Sequence, residues 1–152
     1  MPSLRTVLLG PRYSAFQRNL GLLFALAIFP GSLAAYATGL FAPAGGVIFL
    51  PGEATLLGFI AAALVGFERG GFLFAWVAHY AAYLGFRADW AFLSLPSHDL
   101  RGQLVFMFDV GDLVVYAVLG LVVSGLGFGL GYLARWGLGR LRGGEPLRDA
   151  AD

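Results

Sequence analysis

Four long apolar runs, parted by short polar breaks, organise the chain between Leu20 and Leu133. Leu20–Ile28 and Val114–Val123 are apolar on every side instead of alternating like a barrel strand, so the pattern predicts helices. They fall at about 20–41, 47–67, 72–86 and 110–134. A helix needs ~20 residues to cross a ~30 Å hydrocarbon layer, and these runs match that scale. Ser14-Ala15-Phe16-Gln17 has capping-box spacing ahead of the first, and Pro30 predicts a kink inside it. Ala42–Gly46 reads as a turn. Pro51 and Glu53 suit a helix N-terminus near Gly52, inside the second run. Glu68–Gly71 is a link short enough to make the second and third helices antiparallel neighbours.

Arg87–Gln103 breaks the pattern. It mixes Arg87, Asp89, His98, Asp99 and Arg101 with the apolar run Trp90–Leu95, which predicts an interfacial or re-entrant element. Counting back ~20 residues from Arg135 puts the fourth helix's hydrocarbon entry near Tyr116, with Asp112 at the boundary. A tilted helix starting near Leu104 is the competing reading.

Composition names the solvent. Hydrophobic residues are 59% and charged residues 12%, against about half and a quarter in soluble chains. The fold class expected is an all-α integral membrane protein. It is a four-transmembrane-helix bundle with an interfacial helix or re-entrant element between helices 3 and 4. Residues 1–19 form an amphipathic N-terminal segment, and 135–152 a basic then acidic flexible tail. All ten basic residues are arginine. Eight (Arg5, Arg12, Arg18, Arg69, Arg135, Arg140, Arg142 and Arg148) fall on one side of such a threading; only Arg87 and Arg101 fall on the other. Both termini are therefore expected to face the cytoplasm across the cell membrane. Residues 1–37 also resemble a secretory signal ending in Ala35-Tyr36-Ala37, an alternative that predicts cleavage.

Small residues recur at four-residue spacing: Gly31, Ala35 and Gly39; Ala54, Gly58, Ala62 and Gly66; Ala78-Ala82 and Ala81-Gly85; Gly120-Ser124, Gly125-Gly129 and Gly127-Gly131. Such small-xxx-small stripes let helix backbones approach where lipid removes the hydrophobic drive to associate. They predict packing within the bundle or a seam with a membrane-protein partner or second copy. Alternating Gly125, Gly127, Gly129 and Gly131 lack a filter's polar lead-in and fit an ordinary span.

Candidate chemistry is sparse. His79 lies near the middle of the third run beside Tyr80 and Tyr83. Asp109 and Asp112 share a face at the start of the fourth, and Glu53 opens the second. Each acid suits a helix N-terminus, and together with His79 they are candidate proton or cation sites. The absence of cysteine excludes thiolate metal sites and disulfides. HExxH, GxSxG, GxGxxG and Walker patterns are missing. With only His79 and His98, haem would need a partner or a single-histidine site. No cofactor, metal or nucleic-acid partner is expected. Two functions remain: a non-enzymatic accessory or assembly protein acting through helix–helix association, or a small oligomeric proton- or cation-coupled transporter using His79 with Asp109, Asp112 or Glu53.

Overall fold

The computed structural model describes residues 4–10, 15–42, 51–94 and 99–142. These are almost wholly helical, with no strand among them: α1 (Leu4–Leu9), α2 (Ala15–Ala37), α3 (Gly52–Phe67), α4 (Phe72–Asp89), a π-helical turn (Trp90–Ser94), α5 (Leu100–Met107) and α6 (Val110–Arg142). The expected turn at Ala42–Gly46 and His98 lie, beyond Ala42, outside the described residues.

α2, α3, α4 and α6 run up, down, up and down. Ser32 on α2 meets Ala82 on α4, and Ala25 meets Ala78, so those two helices are parallel. Gly58 faces His79 and Ala62 packs with Ala75, so α3 and α4 are antiparallel. Gly127 faces Phe59 and Gly131 faces Ala63, which makes α6 parallel to α3. α4 is the central helix, touching α2, α3 and α6.

Small side chains fill the interior. Ala25, Ala61 and Ala78 form one buried cluster, and Ala62, Val65 and Ala75 a second. A third, Ala88, Ala91 and Met107, fastens α5 to the end of α4. A Cβ at Gly85 would lie 2.7 Å from the Phe29 carbonyl, so α2 and α4 meet backbone to backbone. Ser32 Oγ donates to the Ala82 carbonyl there at 2.7 Å, a fully buried interhelical bond. Large apolar side chains point outward: Leu56, Ile60 and Leu64 on α3, and Val114, Val118, Val122, Leu126 and Leu130 on α6.

One helical run among the described residues, Leu100–Arg140 taken across the brief break at Phe108 and Asp109, is long and apolar enough to cross a membrane. Gly21–Ala37 on α2 and Gly52–Phe67 on α3 are apolar but shorter, and α4 carries His79, Arg87 and Asp89.

Several expected boundaries are corrected. The third helix does not stop at Phe86; it continues to Asp89 and into the π-helical turn, so Trp90–Ser94 extends α4 and is not a separate interfacial helix. The surface helix is α5, capped by Asp99, whose carboxylate accepts from Gly102 N–H at 3.0 Å. No helix runs unbroken from Leu104, because Phe108 and Asp109 interrupt it and Asp109 restarts α6. Residues 135–142 are helical, not a flexible tail: Arg135 ties α6 to the end of α3 by donating to the Phe67 carbonyl at 2.9 Å. Residues 15–19 already belong to α2, and Gly39 lies beyond its end at φ +74°, off the Gly31–Ala35 face.

Candidate functional site

The densest polar junction is where α4, α5 and α6 meet. Tyr83 and Arg87 are one turn apart on α4, and Asp112 and Tyr116 one turn apart on α6, so each pair shares a face. The antiparallel crossing sets the pairs against each other. The tyrosine rings stack with centroids 3.4 Å apart. Arg87 Nη1 donates to Asp112 Oδ2 at 2.6 Å and to Tyr83 Oη at 2.9 Å. Its Nη2 donates to the Phe106 carbonyl on α5, and the guanidinium lies 4.7 Å from the Phe106 ring centroid.

Arg87 is 2% exposed, whereas the Asp112 side chain is 54% exposed. A buried guanidinium without an anion is strongly unfavourable, so the carboxylate at the rim is what makes this burial tolerable. Asp109 holds the backbone of that turn: its Oδ1 accepts from Asp112 N–H at 3.0 Å and caps α6. Two N–H donors stay buried without a partner, Arg87 Nε near the end of α4 and Trp90 Nε1 at the start of the π-helical turn. Next to them, buried Asp89 accepts from Ser94 Oγ at 3.0 Å and holds the π-helical turn.

His79 occupies a second site, deeper in the bundle. A Cβ at Gly58 would collide with the His79 ring and backbone, and one at Gly120 would lie 3.1 Å from His79 Cδ2. Two glycines on facing helices thus provide the slot that the imidazole fills. Its Nδ1 is buried with no partner. Trp76 Nε1 donates to the Ala117 carbonyl at 3.0 Å, and Tyr80 Oη to the Leu113 carbonyl at 3.3 Å, so the polar aromatics beside His79 bond to α6 and not to it.

The candidate residues therefore separate. Gly120, beside His79, is eight residues from Asp112 along α6, which sets the two about 12 Å apart along the axis. Asp112 pairs with Arg87, Asp109 caps α6, and Glu53 stands in the first turn of α3, beside the Ala54 N–H that donates to Tyr36 Oη at 3.2 Å. Of the small residues, Gly58, Ala62, Gly66, Gly120 and Ser124 are buried in the bundle, with Gly66 against the Phe128 backbone. Gly125 has only an ordinary contact with Phe72, and Gly129 faces nothing within 4 Å. Gly120, Ser124, Gly127 and Gly131 form the buried stripe of α6.

Arg87 is the residue that sequence reasoning missed, assigning it to the interfacial or re-entrant segment 87–103 and not to the site. The signal was present as matching pairs, Tyr83 with Arg87 and Asp112 with Tyr116, on two successive spans that the threading makes antiparallel.

Charge divides by end. Arg5, Arg18, Arg69, Arg135, Arg140 and Arg142 belong, with Glu68, to the end holding the α3–α4 turn. Glu53, Asp89, Asp99, Asp109 and Asp112 belong, with Arg87 and Arg101, to the other. Among the described residues no three His, Asp or Glu side chains converge as a metal site would require. Comparison with family models, curated proteins and solved structures gave no match.

Proposed function

We propose that this chain is a multi-pass membrane protein that crosses the bilayer four times, with both termini cytoplasmic. It serves as an accessory or assembly subunit through lateral helix association. The observation that carries the reading is the inversion of side-chain size. Ala, Gly and Ser fill the interior, while Leu, Val and Ile cover the outside of α3 and α6. In water that arrangement forfeits the burial of its largest apolar groups, each worth ~1.5–3 kcal/mol. In lipid it costs nothing, and small interiors are what close backbone packing requires. α3 spans about 24 Å, a shortfall that bilayer thinning absorbs at a fraction of a kcal/mol per Å.

The arginine-rich end supports the orientation through the positive-inside bias. An accessory role is supported by the small residues left facing outward on α2: Ala27, Pro30, Gly31 and Ala34 are all exposed. It is supported too by the pairing of Arg87, whose charge meets an anion, a tyrosine and a carbonyl of its own chain. The chain lacks native cysteine, so single cysteines at Ala44, Ser97 and Gly144 test the threading with impermeant reagents. Labelling outside, outside and inside is expected; Ala44 and Gly144 on the same side would overturn it.

Buried His79 with its unpartnered Nδ1 favours a second reading, proton or cation transport. That reading requires pH-dependent flux in proteoliposomes, lost in His79→Ala or Asp112→Asn. The accessory reading requires no flux.

A further inference from the structure

We infer that the arginine end of the bundle is a docking surface for anionic lipid headgroups. The inference rests on the membrane reading and specifies which lipid that end selects. Arg135 meets the carbonyl of Phe67, the last residue of α3, so residues 136–142 of α6 project about 10 Å past the end of α3.

On that projection Arg140 lies over the Trp136 ring, 3.8 Å from its centroid, and both residues are exposed. Stacking uses the face of the guanidinium and leaves its edge donors, the geometry that grips a phosphate. An exposed tryptophan one turn from an arginine is also what the headgroup level favours. Arg135, about 40% exposed, is already engaged by the Phe67 carbonyl and by Glu68 at 3.7 Å, so Arg140 is the cation that this projection presents to a headgroup.

A second element lies at the same end. α1 rests on the α3–α4 turn, where a Cβ at Gly71 would collide with the Leu8 carbonyl and Leu9. That close seat holds Val7, Leu8 and Leu9 with their side chains exposed. Cationic groups and an aliphatic shelf therefore share one end, and they complement a phosphate above acyl chains. The opposite end offers the reverse, with five acids against two arginines, of which Arg87 is already buried in an ion pair and Arg101 is exposed.

Bromolipid quenching tests this. The protein is reconstituted in phosphatidylcholine vesicles containing brominated phosphatidylcholine or brominated phosphatidylglycerol. The Trp136 signal is the difference between the wild type and Trp136→Phe. Phosphatidylglycerol should quench Trp136 with at least a fivefold higher exchange constant, and the preference should weaken in high salt. Arg140→Gln should lower it about fivefold, the effect of one basic residue near the surface. Equal quenching by the two headgroups, or an unchanged preference in Arg140→Gln, would overturn the inference while leaving the membrane reading intact. Failure of the protein to float with the vesicles would overturn both.

Discussion

Adding one carbon at Gly131 and at Gly129, two residues apart on α6, should move stability in opposite directions. At position 131 the new Cβ collides with the Ala63 carbonyl oxygen and lies 2.8 Å from its carbon and 2.9 Å from Phe67 N. All three are backbone atoms, so no side chain can swing aside and α6 must retreat from α3. Overpacking of this kind costs about 1–3 kcal/mol, and the better helix propensity of alanine returns about 0.8–1. The net expectation is a loss of about 1–2 kcal/mol, because the retreat also loosens Gly127 against Phe59 and Arg135 against Phe67. At Gly129 nothing lies within 4 Å, so only the propensity gain applies, up to about 1 kcal/mol. Reversible unfolding of both variants in mixed micelles, followed by tryptophan fluorescence, measures the difference. Equal shifts, or a stabilised Gly131→Ala, would refute the close α3–α6 contact.

Three further outcomes follow from the junction and the histidine slot. Asp112→Asn should cost about 1–3 kcal/mol, between the values for exposed and buried pairs because Asp112 is half exposed and Arg87 is not. In an Arg87→Met background the same change should cost under ~0.5 kcal/mol, and additive losses in the double-mutant cycle would contradict the pairing. Asp109→Ala should lose about 1 kcal/mol with the cap of α6 while Asp109→Ser retains most of it, as thermal melts of detergent-solubilised protein can compare. His79→Phe gives up no hydrogen bond at Nδ1 but forces a larger ring between Gly58 and Gly120, so a loss of about 1–3 kcal/mol is expected; a stabilised variant would contradict the close slot.

The helices were legible because apolar runs longer than a strand have few other forms, and Pro51-Gly52 and Glu68–Gly71 punctuate them. Glycine register on α6 was not legible. Gly125, Gly127, Gly129 and Gly131 offer two stripes, and only the approach of Phe59 and Ala63 selects Gly127 and Gly131. Arg87 was misjudged for a similar reason. Local sequence marks Arg87–Asp89 as a polar break, whereas an anion 25 residues away lets the helix carry the charge inside. The continuation of α6 past Leu133 is likewise tied to a tertiary contact, between Arg135 and the end of α3. His79 could be placed at mid-helix from sequence. Its separation from Asp112 could not, because that follows from the pairing of α4 with α6.

The central claim is that lipid, not water, bathes the outward leucines and valines. Spin labels at Ile60, Leu64, Val118, Val122 and Leu126, each exposed by roughly half or more, test it directly by collision with oxygen and with a water-soluble nickel chelate. In liposomes the account predicts high oxygen and negligible nickel accessibility at all five. Nickel collisions as frequent as at a labelled Gly144 in the tail would contradict it.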